Sequence, residues 1–327
     1  MKKFLITGVT ALSFATIITF SACSPSTSTY GFSSNWYKNN AVTTDISATK
    51  EVLTYDVTFT KGTNKTYSVD YDPGIYTVTL ENTVYENQSV YKLSSELKIS
   101  GTYTLGSEKS EFSDSIVSEC YFHDVSRLLY PLYSKKTVKS TSPRENAPTS
   151  LTNGIKQYDY TVEITYSTEN NKATSVYTDL TGETEEIRAE YSLKNNLPVL
   201  DNESLLFAIR GISFSSSSQS KAYVIDPYNH KQETISISLS RQNTDAKYSF
   251  INVDTDDKTA NEYTMNVNAV SVSRNAAMTG KAITAVYAAP ISSINTYRCV
   301  MLQMVKPLAF NLGSLNYTLA EADFTNK

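Results

Sequence analysis

The stretch EVLTYDVTFT, residues 51–60, alternates apolar and polar side chains from Leu53 onward. Leu53, Tyr55, Val57 and Phe59 fall on one side of the alternation, and Thr and Asp residues fall on the other. Because successive side chains of a strand point to opposite faces, this period of two predicts a strand with one buried face.

Similar runs follow one another through the chain at intervals of about 8–12 residues, and they are rich in β-branched residues and tyrosine. The predicted strands are 51–60, 67–71, 76–80, 88–94, 96–105, 111–122, 158–167, 173–179, 185–193, 212–216, 221–226, 233–240, 246–253, 262–273, 281–288, 296–305 and 313–319. The pattern predicts a mostly β fold, in which an antiparallel curved sheet, a barrel or a sandwich carries one or two short helices.

Three segments interrupt this pattern. Residues 201–211 place Asp and Asn ahead of Leu-Leu-Phe-Ala-Ile-Arg and a final Gly, which predicts a short capped helix. Residues 124–130 resemble them and are followed by Pro131, which predicts a second helix. Residues 134–154 are rich in Lys, Ser, Thr and Pro, and they indicate a long loop or a boundary between two β domains.

Composition limits the class of protein. The chain has 327 residues, of which 40% are hydrophobic and 19% charged. Disordered chains are more charged and less apolar, so we expect a folded body over 51–323, as one β domain or two. The net charge of −4 offers nothing to a phosphate backbone, so we expect no nucleic-acid partner.

The first 22 residues have the layout of a secretory signal peptide, with two lysines ahead of an uncharged apolar run. The following motif, Phe20-Ser21-Ala22-Cys23, resembles the lipobox of bacterial lipoproteins, although Phe20 stands where that family usually has an aliphatic residue. The resemblance implies cleavage before Cys23 and attachment of acyl chains, such as palmitate, to that residue.

Lipidation of Cys23 would place the body outside the cell membrane and tether it there without a spanning helix. Residues 23–50 are rich in Ser, Thr and Asn, which is typical of a flexible spacer. An uncleaved anchor or an ordinary signal peptide is the alternative, since the apolar run of about 17 residues is at the lower limit for spanning a bilayer.

Two cysteines follow Cys23, and an extracytoplasmic location permits a disulfide between them. Cys120 and Cys299 both lie in apolar, strand-like runs. Two buried thiols are the favoured interpretation, and a bridge between them stays open because sequence spacing does not give a distance.

Candidate catalytic and metal-binding residues are few, and each has a structural explanation. His123 ends a strand-like run and His230 lies in a hairpin turn over 226–231. The acidic residues 254–257 and Glu262 lack the spacing of a calcium loop, and the Asp-Pro-Gly of 70–74 indicates a turn. We therefore predict no catalytic residue, no metal site and no cofactor, and no enzymatic activity.

A basic cluster is a candidate for binding, and it indicates either a solvated loop or electrostatic contact with anionic envelope polymers or lipid headgroups. Its members are Lys135, Lys136, Lys139 and Arg144.

The functional prediction is a binding or scaffolding role at the cell envelope. The leading hypothesis is a curved sheet or barrel that encloses a hydrophobic ligand, as in envelope lipid carriers of similar outline. The alternative is a surface module that binds carbohydrate through some of its 24 tyrosines. A hydrolase with an Asp/Glu pair and a structural partner of another envelope protein are further alternatives.

Overall fold

The computed structural model describes residues 50–123, 129–146, 148–167, 169–194, 196–212, 214, 219–228, 230–253, 259–274, 282–289 and 299–324. Within these ranges the chain is mostly strand. The strands are β1 (Lys50–Lys61), β2 (Ser68–Tyr71), β3 (Gly74–Tyr85), β4 (Gln88–Leu105), β5 (Glu108–Phe122), β6 (Pro131–Pro143), β7 (Ile155–Ser167), β8 (Lys172–Asp179), β9 (Ile187–Ser192), β10 (Gln219–Asp226), β11 (Lys231–Asn252), β12 (Asn261–Arg274), β13 (Ile283–Ala288), β14 (Met301–Pro307) and β15 (Gly313–Asp323). The predicted mostly β, antiparallel fold is confirmed.

The helices of the described residues are short. The first, α1, is Leu151–Gly154, and the second, α2, is Leu205–Ala208. A 3₁₀ turn, Ile209–Gly211, continues α2, and another covers Ala309–Asn311. The helix predicted at 201–211 is therefore confirmed as α2 and its 3₁₀ extension, but the predicted Asp or Asn cap is wrong, because the N-cap is Ser204 and it makes no side-chain cap hydrogen bond.

The strands form one sheet in the order β10-β11-β12-β13-β14-β15-β1-β3-β4-β5-β6-β7-β8-β9, with β2 paired to β4. The sheet closes on itself at two contacts. The end of the long β11 pairs parallel with β15, so that β11 to β15 form a ring. The segment after β9 bridges to β10 through Val199 and Tyr223, which links the two ends of the order.

The core lies on the inner face of this curved sheet. The segment 205–211, formed by α2 and its 3₁₀ turn and called the plug below, packs into it with six of its seven residues buried. Phe207 of the plug meets Phe122 of β5 with 5.5 Å between ring centroids. The hydroxyl of Tyr287 in β13 donates to the carbonyl of Leu206. The plug thus contacts strands from both halves of the sheet.

The prediction of a long loop at 134–154 is wrong for residues 134–143, which form a strand. β6 occupies the first half and pairs with β5 on one side and β7 on the other. The polar side chains of β6 find partners on both faces of the sheet, Ser134 and Lys136 on one face and Lys135 on the other. Backbone hydrogen bonds to β5 and β7 stabilise the strand.

The turn predicted at Asp70–Gly74 is also wrong. β2 and β3 both pair antiparallel with β4 and run in the same direction along it, because Tyr71 pairs with Gly101 and Ile75 pairs with Lys98. Asp72 and Pro73 therefore interrupt the pairing along β4 without reversing the chain. The Asp72 carboxylate accepts a hydrogen bond from the Ser100 hydroxyl at 2.7 Å.

Several predicted features lie outside the described residues. They are the signal peptide, Cys23 and the spacer up to residue 49, most of the helix at 124–130, the acidic residues 254–257, and parts of the strands predicted at 212–216, 281–288 and 296–305.

Candidate binding cleft

A cavity of about 90 Å³ opens on the inner face of the sheet. It lies between β6 and β7, the segment that precedes α2, and the turn that joins β10 to β11. Its walls include Ser134, Lys136, Asp201, Glu203, Tyr228 and Arg274. We call this cavity the cleft.

Strand alternation aims Lys136 into the cleft. On β6, Ser134 and Val138 are buried and the side chain of Lys136 lies on the same face between them. The ammonium of Lys136 pairs with the Glu203 carboxylate at 3.0 Å. Burial, the largest single effect, lowers the pKa of Lys136, but the charge and hydrogen bond of Glu203 together with the nearby Tyr160 and Tyr76 outweigh it and leave the pKa raised. The ion pair is therefore a fixed element of the cleft wall.

Asp201 is the most buried acid of the cleft, with 0% of its surface exposed. Its Oδ2 accepts hydrogen bonds from the hydroxyls of Ser134 and Tyr166, each at 2.6 Å. Its Oδ1 accepts from the backbone amide of Glu203 at 2.8 Å. Burial raises the pKa of Asp201 above its ordinary value, and these donors offset part of the effect. The carboxyl positions the segment that leads into the plug.

Arg274 closes another side of the cleft at the end of β12. Its guanidinium donates to the Glu233 carboxylate at 3.1 Å and to the side-chain oxygen of Asn202 at 2.9 Å. The amide of Asn202 in turn donates to the carbonyl of Ile225 at 2.6 Å. These bonds tie β10, β11 and β12 to the segment before α2.

Tyr228 lines the cleft, and two further tyrosines pack against it; we call the three the rim tyrosines. Tyr160 and Tyr177 lie on the inner face of β7 and β8, with 5.2 Å between ring centroids. Tyr228, in the β10–β11 turn, meets both rings edge-on at 5.7 and 6.3 Å, and its hydroxyl is hydrogen-bonded to that of Tyr160. Tyr228 is 39% exposed, so the rim is open to solvent.

The cleft is small, and charged and hydroxyl groups share its walls with Val162, Ile164 and Pro227. At about 30 Å³ for each water molecule in the liquid, its volume of about 90 Å³ corresponds to roughly three waters. That is the scale of one polar group of a ligand, such as part of a sugar ring or of a head group, and not of a long acyl chain. Among the described residues, no cluster of three or more His, Cys, Asp or Glu side chains is arranged to hold a metal ion.

A second group of tyrosines lies on the outer face. Tyr85, Tyr121 and Tyr133 pack together with 4.8 to 6.1 Å between ring centroids and interplanar angles of 17 to 49°. Ion pairs flank them, between Lys92 and Glu119 and between Lys135 and Glu163. The rings cover one another instead of forming an open coplanar row.

The other residues that the sequence offered as candidates lie away from the cleft. Cys120 and Cys299 are both buried thiols that form no disulfide in the described part of the chain, which confirms the favoured interpretation. His123 is buried at the end of β5, and His230 is exposed in the hairpin turn. Glu262 pairs with Lys247 on the surface. None of these residues lines the cleft.

The basic cluster is divided by the alternation of β6. Lys136 faces the cleft, whereas Lys135 pairs with Glu163 on the outer face, and Lys139 and Arg144 are exposed. The interpretation of these four residues as one solvated loop is therefore wrong.

Sequence analysis did not single out Glu203, Arg274 or the rim tyrosines as cleft residues. The alternation signal was present for Tyr160 and Tyr177, which share a face with the apolar residues of their strands. Only the closure of the sheet brings the β10–β11 turn to those strands.

Comparisons with known proteins do not assign the chain to a family. No protein-family model matches it, and no curated protein matches it. A solved structure that it resembles is a β-barrel-like protein of a domain of unknown function from Brucella abortus. The TM-score is 0.47 at 9% sequence identity, over 86% of this chain and 100% of that one.

Within the described ranges, no helix has the length and apolar character needed to cross a membrane.

Proposed function

We propose that this chain is a lipid-anchored, extracytoplasmic envelope protein that binds a hydroxyl-rich polar ligand in the tyrosine-rimmed cleft. The observation that carries the proposal is the combination of Tyr160, Tyr177 and Tyr228 with a cavity walled by fixed charges. Tyrosine offers a ring face for stacking and a hydroxyl for hydrogen bonding, which suits a sugar.

The fixed geometry of the wall supports binding of a polar group. Lys136, Glu203 and Arg274 are each held by a partner before any ligand arrives. A pre-organised site of this kind loses little conformational entropy when it binds. Hydroxyl groups both donate and accept, so they match a wall that presents both carboxylates and cationic donors.

A hydrophobic ligand is the second candidate. The described apolar interior is filled by the plug, whose Phe207 and Ile209 are among the buried residues of the main core. The cleft that remains open is too small for an acyl chain, and its walls carry Lys136, Glu203 and Arg274. A lipid would therefore enter with its polar head group, and its acyl chain would have to lie elsewhere.

A binding role is favoured over hydrolysis. An Asp/Glu pair that works as acid and base needs carboxyl groups available to the substrate. Asp201 accepts three hydrogen bonds within the protein, and Glu203 is paired with Lys136. These acids support the wall, so we propose no enzymatic activity.

The anchor is tested at Cys23. We expect wild-type protein to partition with the membrane and to carry diacylglycerol on its N-terminal peptide. The substitution Cys23→Ala should remove both the lipid mass and the membrane association. Recovery of an unmodified Cys23 peptide by mass spectrometry would contradict the anchor.

The cleft is tested by titrating full-length protein in detergent with fragments of envelope glycans, followed by calorimetry. We expect saturable binding and about tenfold weaker affinity for Tyr228→Ala, which corresponds to about 1.4 kcal/mol. Tyr85→Ala, in the outer tyrosine group, is the matched control and should bind normally. No binding by wild type, or loss only in Tyr85→Ala, would overturn the assignment of the site.

A further inference from the structure

The ion pair between Lys136 and Glu203 presents polar atoms that a ligand can reach. Both residues line the cavity, and their side chains keep 33% and 16% of their surface exposed. The ammonium of Lys136 donates to Oε1 of Glu203 at 3.0 Å. Because an ammonium carries three N–H donors and a carboxylate has two acceptor oxygens, each partner keeps capacity for a ligand.

Glu203 is the accessible acid of the cleft. Among the described residues that line the cavity, the acids are Asp201, Glu203 and Asp226, and the first and the last of these are buried. The Asp201 carboxylate accepts three hydrogen bonds within the protein. Oδ1 of Asp226 accepts one from the backbone amide of Tyr228. A ligand therefore meets the carboxylate of Glu203, and that carboxylate stands beside an ammonium.

The cations of the cleft wall are balanced within the protein. Lys136 is paired with Glu203, and Arg274 is paired with the buried Glu233 at 3.1 Å. Lys136 and Arg274 both line the cavity. A ligand that carried a net negative charge would find each of these cations already neutralised by an acid of the protein.

A donor directly beside an acceptor selects the chemistry of the ligand. A carboxylate or phosphate at Lys136 would lie against the negative charge of Glu203, and an ammonium at Glu203 would lie against the positive charge of Lys136. Two hydroxyl groups on neighbouring ring carbons meet neither repulsion, because one accepts from Lys136 while the other donates to Glu203. One edge of a sugar ring also suits the volume of about 90 Å³.

We propose that the cleft selects an uncharged sugar, that it binds this sugar through two neighbouring hydroxyl groups, and that Lys136 and Glu203 determine the selection. The inference rests on the proposed function, since it names the class of ligand for the same cleft. Discrimination comes from the repulsive partner as much as from the attractive one, since each charge of the pair rejects a different class of charged sugar.

The test compares the methyl glycosides of glucose, mannose and galactose with the matching uronic acids and amino sugars. Ligand-observed NMR titration of full-length protein in detergent measures each affinity. We expect that at least one neutral glycoside binds about tenfold or more tightly than its acidic counterpart and its amino counterpart, because both of these meet a like charge.

The two members of the pair should control different preferences. Glu203→Gln removes the negative charge and keeps an acceptor, so it should reduce the discrimination against the acidic sugar to less than about threefold. Lys136→Gln should reduce the discrimination against the amino sugar to the same extent.

The neighbouring ion pair on the opposite face of the same two strands is the matched control. Lys135 and Glu163 lie 2.7 Å apart on β6 and β7, and Lys135→Gln and Glu163→Gln should keep both preferences. Thermal melting checks that every variant folds. The double variant Lys136→Gln, Glu203→Gln leaves no charge without its partner, so it replaces a single variant that does not fold, and it should lose both preferences.

A second readout locates the hydroxyl groups. Singly deoxygenated forms of the neutral glycosides that bind should lose about tenfold in affinity at two neighbouring ring carbons, because each missing hydroxyl leaves a wall group without a partner. Tighter or equal binding of the charged sugars, losses confined to carbons that are not neighbours, or unchanged preferences in the variants of the pair would overturn the inference alone. Absence of binding to every probe would overturn the proposed function with it.

Discussion

At the scale of single residues, the strongest polar contact of the interior joins the plug to β1. Arg210 donates to both carboxylate oxygens of Glu51, at 2.6 and 3.0 Å. Both side chains are only 3% exposed. Removing one partner would leave the other as a buried charge without compensation, which costs far more than a surface ion pair.

We therefore expect Arg210→Met or Glu51→Gln to lower the free energy of unfolding by about 3–5 kcal/mol. The double variant Glu51→Leu, Arg210→Met should regain much of this loss, since it buries no charge. Urea unfolding followed by circular dichroism measures both. Lys98→Met, in an exposed ion pair with Glu96, is the control and should change little. A single variant as stable as this control would contradict the role of the pair.

Asp114 gives the molecule a pH dependence. It lies on β5 with 9% of its surface exposed and accepts a hydrogen bond from the backbone amide of Thr141 at 2.8 Å. Burial raises the pKa of Asp114 to about 7 from its usual value, and the bonds from Thr141 oppose the shift. Between about pH 4 and pH 7 the folded protein therefore binds more protons at this site than the unfolded chain does.

It follows that Asp114 makes stability fall as the pH rises from about 4 to about 7, with no further loss above that range. Asp114→Asn should remove this slope. The free energy of unfolding of Asp114→Asn, minus that of wild type, should rise by about 2–4 kcal/mol between pH 4 and pH 8. Urea unfolding at pH 4, 6 and 8 checks the difference, and parallel curves for the two proteins would refute it.

At the scale of elements, the strand β6 was not predicted from the sequence, and it contributes two side chains to the cleft. It lies between β5 and β7, and it delivers Ser134 and Lys136 to the cleft. Val138, 3% exposed, pairs with Ile116 on one side and Tyr160 on the other.

Val138→Pro should destabilise the protein by about 2 kcal/mol or more, because proline removes a ladder hydrogen bond and leaves a buried acceptor without a donor. The exposed residue Glu185, in the connection between β8 and β9, gives the control Glu185→Pro, which should be tolerated. Thermal unfolding measures both. Equal tolerance of the two prolines would show that 134–143 is a loop in solution.

The elements show what can be predicted from such a sequence. Strands with alternating apolar residues, such as β1, and the short apolar helix α2 are local patterns, so their positions follow from the sequence. β6 was missed because its polar side chains find their partners in distant segments of the chain, as Lys136 finds Glu203. The cleft depends on such distant contacts, and sequence spacing does not encode them.

At the scale of the whole molecule, closure of the sheet creates the site. The amide of Leu200 donates to the carbonyl of Tyr223 at 2.8 Å, and the amide of Tyr223 donates to Pro198 at 2.7 Å. These bonds hold the segment after β9 against β10. They bring the β10–β11 turn, with Tyr228, to the inner faces of β7 and β8.

The central claim is that an envelope ligand occupies the cleft, and native mass spectrometry of full-length protein released gently from detergent tests it most directly. The account predicts a reproducible polar adduct of sugar-like mass that is lost on denaturation and is depleted in Tyr228→Ala but not in Tyr85→Ala. A lipid adduct that extracts into organic solvent would favour the hydrophobic candidate. A bare protein mass, or an adduct equally abundant in the two variants, would contradict the claim.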